Sequence, residues 1–140
     1  MIKLKPYSST ILAVGGLLLM GMGIYFVWLR PALLSEDVQY MKTSVLVMNE
    51  VVPGLSHWLQ KVFWVMGAYI FTTGLLTVFI SYTSFRTRTR GVCSVVALTG
   101  MSSIGSMTVV NFMIDSDFKW LLLIFIIPWA IALILYKFNK

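Results

Sequence analysis

The chain has 140 residues, about one domain's worth, of which 59% are hydrophobic and only 11% charged, with a net charge of +6. That balance excludes a water-soluble globular domain, in which about a quarter of residues are charged, and makes lipid the solvent for most of the chain. A single cysteine and a single histidine further exclude a disulfide relay, which needs a cysteine pair, and a self-sufficient membrane cytochrome, which needs paired axial ligands.

The first predicted element is a spanning helix from Thr10 to Leu29. A helix needs about 20 apolar residues to cross a hydrocarbon core of about 30 Å. The run is too long for a secretory h-region. Its far end, "YFVWLRPALLS", has bulky residues where a cleavage site needs small ones, so it reads as a retained anchor. Gly16 and Gly23 lie two turns apart on one stripe, the kind of small surface that lets membrane helices approach closely.

Residues 30–61 form the long connection, and one of that length is expected to contain a helix. Ser35 is the expected N-cap, Glu36 and Asp37 occupy a first turn where the helix dipole favours anions, and Pro53 with Gly54 ends the run. Val38, Met41, Val45 and Met48 recur at helical spacing, an apolar stripe for an amphipathic helix on the outer face. A second reading gathers Glu36, Asp37, Glu50, His57, Asp115 and Asp117 into a cation or catalytic site, although their spacing forms no ligand motif. His57, beside Trp58, is expected at the water boundary, solvated or touching headgroups.

The second span runs from Val62 to Tyr82, with Gly67, Gly74 and Ser81 repeating the seven-residue spacing. The connector after it contains "RTRTR". Arg86, Arg88 and Arg90 read as topology determinants or, in a second reading, as a site for anionic lipid headgroups; nucleic acid is not expected. The third span, Val92 to Ile114, is the most polar. Ser102, Ser103, Gly105, Ser106 and Asn111 suggest a central position or a partner interface, with hydroxyls bonding their own helix carbonyls or a neighbour. Cys93, near its start, is expected to be a reduced, buried small residue.

Asp115 and Asp117 bracket Ser116 in a tight turn where Ser116 or Asp117 can cap the next helix. The fourth span, Phe118 to Tyr136, carries Pro128 in its middle, where a kink is expected. The indole N–H of Trp129 then needs an acceptor: a third-span hydroxyl, the carbonyl freed by the proline, or a ligand. A barrel is excluded, because its strands alternate lipid-facing and lumen-facing residues and these runs do not. The expected fold is therefore all-α: an integral membrane four-helix bundle, antiparallel, occupying 1–140 as one domain.

Charge sets the expected orientation. Lys3, Lys5, Arg86, Arg88, Arg90, Lys137 and Lys140 fall on one side with no acid, while Arg30, Lys42, Lys61 and Lys119 share the other with all five carboxylates. The positive-inside rule puts both termini and the arginine loop in the cytoplasm. No acid lies within a span, which argues against a proton-coupled exporter.

The stretches "RPALLSEDVQYM", "PGLSHWLQKVFWVMGAYIFTTGLLT" and "NFMIDSDFKWLLL" resemble small bacterial inner-membrane proteins of undefined biochemical role, similar to the DoxX-like four-helix group. The resemblance implies four helices in a bacterial inner membrane and brings no catalytic residues with it. The chain shows no motif for catalysis, metal or cofactor binding, and none is expected. Three functions fit. One is a non-enzymatic accessory subunit bound to another integral membrane protein or to itself. The second is a binder of a quinone or lipid, or a redox helper, with Pro128 and Trp129 framing its pocket. The third is an oligomeric transporter that depends on Asn111.

Overall fold

The computed structural model describes residues 5–138; Lys3 and Lys140, two of the residues counted for orientation, lie outside that range. The described residues are helical, without strands. Four helical stretches, Tyr7–Leu29, Leu55–Phe85, Val92–Met113 and Lys119–Phe138, are long and apolar enough to cross a membrane. Their surfaces match that medium. Leu98, Met101 and Phe79 are about two-thirds exposed, and water does not tolerate so continuous an apolar surface.

The first span is helix α1 (Lys5–Ile24), which widens into a π-helical turn at Tyr25–Leu29. Where one helix was expected in the connection there are two, α2 (Ser35–Tyr40) and α3 (Val45–Val51). Two local features divide them. Lys42 adopts a left-handed φ of 53°, and the Ser44 hydroxyl accepts from Val47 N at 3.3 Å, capping α3. The expected stripe is split by this break, with Met41 and Val45 exposed. Leu34, rather than Ser35, is the N-cap of α2, and the Asp37 carboxylate in the first turn accepts from Leu34 N at 3.0 Å.

Helix α4 (Leu55–Ile80) with a π-helical turn at Ser81–Phe85 makes the second span. It starts seven residues before Val62, because Ser56, His57, Gln60 and Lys61 lower the hydropathy of that turn without opposing a helix. In the third span a π-helical turn at Met101–Gly105 separates α5 (Val92–Gly100) from α6 (Ser106–Met113). The fourth span, α7 (Lys119–Phe138), continues through Pro128.

The first span is the hub. It packs most extensively on the second and then on the fourth; the third packs chiefly on the fourth and is peripheral, which removes the central position of the two its polarity suggested. Contact between the first and second spans runs through opposed glycines. A Cβ added at Gly16 would lie 2.8 Å from Gly74 O, and one at Gly23 would lie 2.6 Å from Gly67 O. The same register sets Arg30 against Gln60, whose Nε2 donates to Arg30 O at 3.4 Å. A core of Leu12, Leu19, Phe85, Val96, Ile104, Leu122 and Trp129 joins the spans. The second and third spans meet at Ser81–Phe85 and α5, beside the Arg86–Arg90 turn. Beyond that arginine end a cleft separates them.

Candidate functional site

The cleft has a volume of about 800 Å³, within the usual size of a small-molecule site. One wall is Phe63, Met66, Tyr69, Ile70 and Thr73 of the second span, and the other is Ser103, Ser106, Met107, Val110 and Asn111 of the third. Leu18, Met22 and Tyr25 of the first span and Leu121, Leu122 and Phe125 of the fourth form its floor. Thr73, Ser103 and Ser106 contribute little polarity, because each hydroxyl donates to a carbonyl of its own helix at 2.9, 2.5 and 2.7 Å.

Polar groups collect at the acidic end of the cleft, where Arg30, Leu34, Glu36, Asp37 and Ser116 close it. Their arrangement follows from the local structure. The π-helical turn ends at Arg30, whose N–H reaches back to Tyr25 O at 2.8 Å. The Arg30 guanidinium lies 3.6 Å from the centroid of the Phe63 ring and 5.4 Å from that of Phe26. Its Nη2 pairs with Asp37 at 3.2 Å, and Nη1 donates to Pro31 O. Asp37 thus starts α2 and neutralises Arg30 with the same carboxylate.

Glu36, expected as a helix-start residue or, in the second reading, as part of a cation or catalytic site, is buried, with 7% of its surface exposed. Its carboxylate accepts from the Ser116 hydroxyl at 2.9 Å, a bond that spans 80 residues of sequence. The Ser116 oxygen in turn accepts from Phe118 N at 3.1 Å, at the start of α7. The bond therefore ties the connection between the first two spans to the turn between the last two. Asn111, one wall residue, donates its Nδ2 to Met107 O at 2.9 Å. The other proposed ligands are not gathered here: His57, Glu50 and Asp117 are exposed, and Asp115 pairs with Lys119. Among the described residues no three of His, Cys, Asp and Glu are grouped to hold a metal ion.

A second depression, about 1060 Å³, lies between the third and fourth spans on the opposite side of the third. Gly100, Met101, Gly105, Leu123, Ile126 and Trp129 line it. Ser102 is exposed and donates to Leu98 O at 2.8 Å. The Trp129 ring is clasped by two glycines: a Cβ at Gly15 would lie 2.9 Å from its Nε1, and one at Gly100 would lie 2.7 Å from its Cε3. Its buried Nε1 has no hydrogen-bond partner among the described residues: neither a third-span hydroxyl nor the carbonyl freed by Pro128 reaches it, and its edge faces Gly15. Pro128 packs beside the same glycine. Sequence reasoning missed Gly15. The doublet Gly15-Gly16 was the available signal, since adjacent helical residues point about 100° apart and serve two neighbours at once.

At the arginine end, Arg88 (φ 57°) lays its guanidinium 4.6 Å from the centroid of the Tyr136 ring, with Nη2 buried and without a hydrogen-bond partner among the described residues. Arg86 and Arg90 are exposed, and Cys93 is half-buried and unpaired. Comparison with family models, with curated proteins and with solved structures finds no match to this chain.

Proposed function

We propose that this protein is a multi-pass membrane protein that binds an amphiphile, a lipid or another lipophile with a polar head, in the cleft between its second and third spans. The observation that carries this reading is the segregation of the cleft: apolar walls along its length and charged and amide groups at one end. A bilayer presents amphiphiles in that same polarity, and apolar lining with a few convergent polar groups is how such ligands are held. Four helices with the capacity to cross a membrane support multi-pass insertion.

We read the helices as an antiparallel bundle, a reading supported by the pairings of Gly16 with Gly74 and Gly23 with Gly67. The charge distribution supports cytoplasmic termini and an acidic end outside, with α2 and α3 as the outer segment. The DoxX-like resemblance supports a bacterial inner membrane. The test is organic extraction of protein purified in mild detergent, followed by mass spectrometry. A stoichiometric lipid or lipophile is the expected result; an extract with only detergent and traces of bulk lipid overturns the reading.

A second reading, an accessory subunit of a membrane complex, is favoured by the glycine-lined depression beside the peripheral third span. Under this reading a partner co-purifies from native membranes in stoichiometric amount, and a solitary monomer counts against it.

A further inference from the structure

The head group that suits the cleft can be derived from the groups at its acidic end. Arg30 and Asp37 match each other's charge, and the flat face of the guanidinium is covered by Phe63. Among the described residues no cation lies within ion-pair distance of Glu36, although Glu36 is buried and lines the cleft. Its one hydrogen bond comes from Ser116 and engages Oε1. Asn111, also lining the cleft, uses Nδ2 on its own helix, and no hydrogen bond among the described residues reaches its Oδ1. Among the described residues Glu36 Oε2 and Asn111 Oδ1 are thus acceptors left open to a ligand, and with Arg30 matched by Asp37 this end of the cleft carries the unmatched charge of Glu36. A buried carboxylate with no matched cation is costly, and a donor carrying positive charge relieves that cost best.

On the basis of the amphiphile-binding reading, we infer that the cleft selects an amphiphile with a primary ammonium head, seated between the Glu36 carboxylate and the Asn111 carbonyl with its chain along the apolar walls. A quinone, whose polar atoms are uncharged acceptors, would leave the Glu36 charge unmatched. An anionic head would face Glu36. The ammonium head can come from an aminophospholipid or from a single-chain amine.

The full-length protein, reconstituted in phosphatidylcholine nanodiscs, is labelled with three long-chain diazirine probes that differ only in head: primary amine, hydroxyl or carboxylate. Labelled residues are mapped by mass spectrometry. The amine probe is expected to label the walls around Tyr69 and Met107 in preference to the carboxylate probe. Loss of one charge-assisted hydrogen bond should weaken amine-probe labelling about tenfold in Glu36→Gln, while hydroxyl-probe labelling persists and reports an intact cleft. Asn111→Leu is expected to lower amine labelling in the same direction. Phosphatidylethanolamine competing with the probe identifies the phospholipid source, and competition by hexadecylamine alone identifies the single-chain source. Equal labelling by amine and carboxylate heads, or amine labelling unchanged in Glu36→Gln, overturns the head assignment and leaves amphiphile binding standing. Absence of cleft labelling by all three probes overturns both.

Discussion

Arg30 shows how one side chain can close the end of a cleft between helices. Its charge is matched by Asp37, its face is covered by Phe63, and its carbonyl is held by Gln60. Stacking of a desolvated cation on an aromatic ring contributes up to about 2 kcal/mol, and a bonded ion pair strands its partner when truncated. Arg30→Ala is expected to destabilise the protein by about 2 kcal/mol, the pair being partly exposed, and Arg30→Lys by less, because the ammonium keeps the charge but loses the flat stack. Unfolding by SDS titration in mixed micelles measures both. Ser116→Ala leaves the Glu36 carboxylate and the Phe118 N–H without their bonds. That variant should lose about 1–3 kcal/mol in the same titration, the cost of stranding buried polar groups; no loss would mean that water replaces the hydroxyl.

Among the helices, the glycines divide by what faces them. A Cβ added at Gly16, Gly23, Gly67 or Gly74 would meet backbone of the opposite helix at 2.6–2.8 Å, and backbone cannot rotate away. A methyl at Gly23 or Gly67 must push the first and second spans apart, at about 1–3 kcal/mol of overpacking. A Cβ added at Gly21, two residues from Gly23, would meet nothing within 4 Å beyond its own helix. Gly21→Ala is therefore expected to gain a few tenths of a kcal/mol, up to about 1, through helix propensity. Opposite signs for Gly23→Ala and Gly21→Ala in one unfolding assay test the packing directly. Gly100→Ala is expected to be destabilising for a different reason, since its methyl meets the Trp129 ring at 2.7 Å, and that ring is held on its other side by Gly15. Pairing Gly100→Ala with Trp129→Leu should recover part of the loss.

For the molecule as a whole, the arrangement is an open one. The second and fourth spans pack on the first, while the third leans chiefly on the fourth, meets the second only near the arginine end and leaves the cleft beside it. The proposed orientation makes a direct prediction. In a Cys93→Ser background, Thr89→Cys should react with a membrane-impermeant maleimide only after cells are opened, and Glu50→Cys should react in intact cells. Equal reactivity of both in intact cells would defeat it. Four runs long and apolar enough to cross a membrane were legible in the sequence, because transfer to lipid adds up residue by residue along a run. Tertiary structure decided what no run contains: the burial of Glu36 against Ser116, the clasp of Gly15 and Gly100 on Trp129, the break at Lys42 and the peripheral place of the third span. Hydropathy is local and nearly indifferent to helix rotation, whereas a site between helices exists only at one rotation and register, set by contacts between residues far apart in the chain.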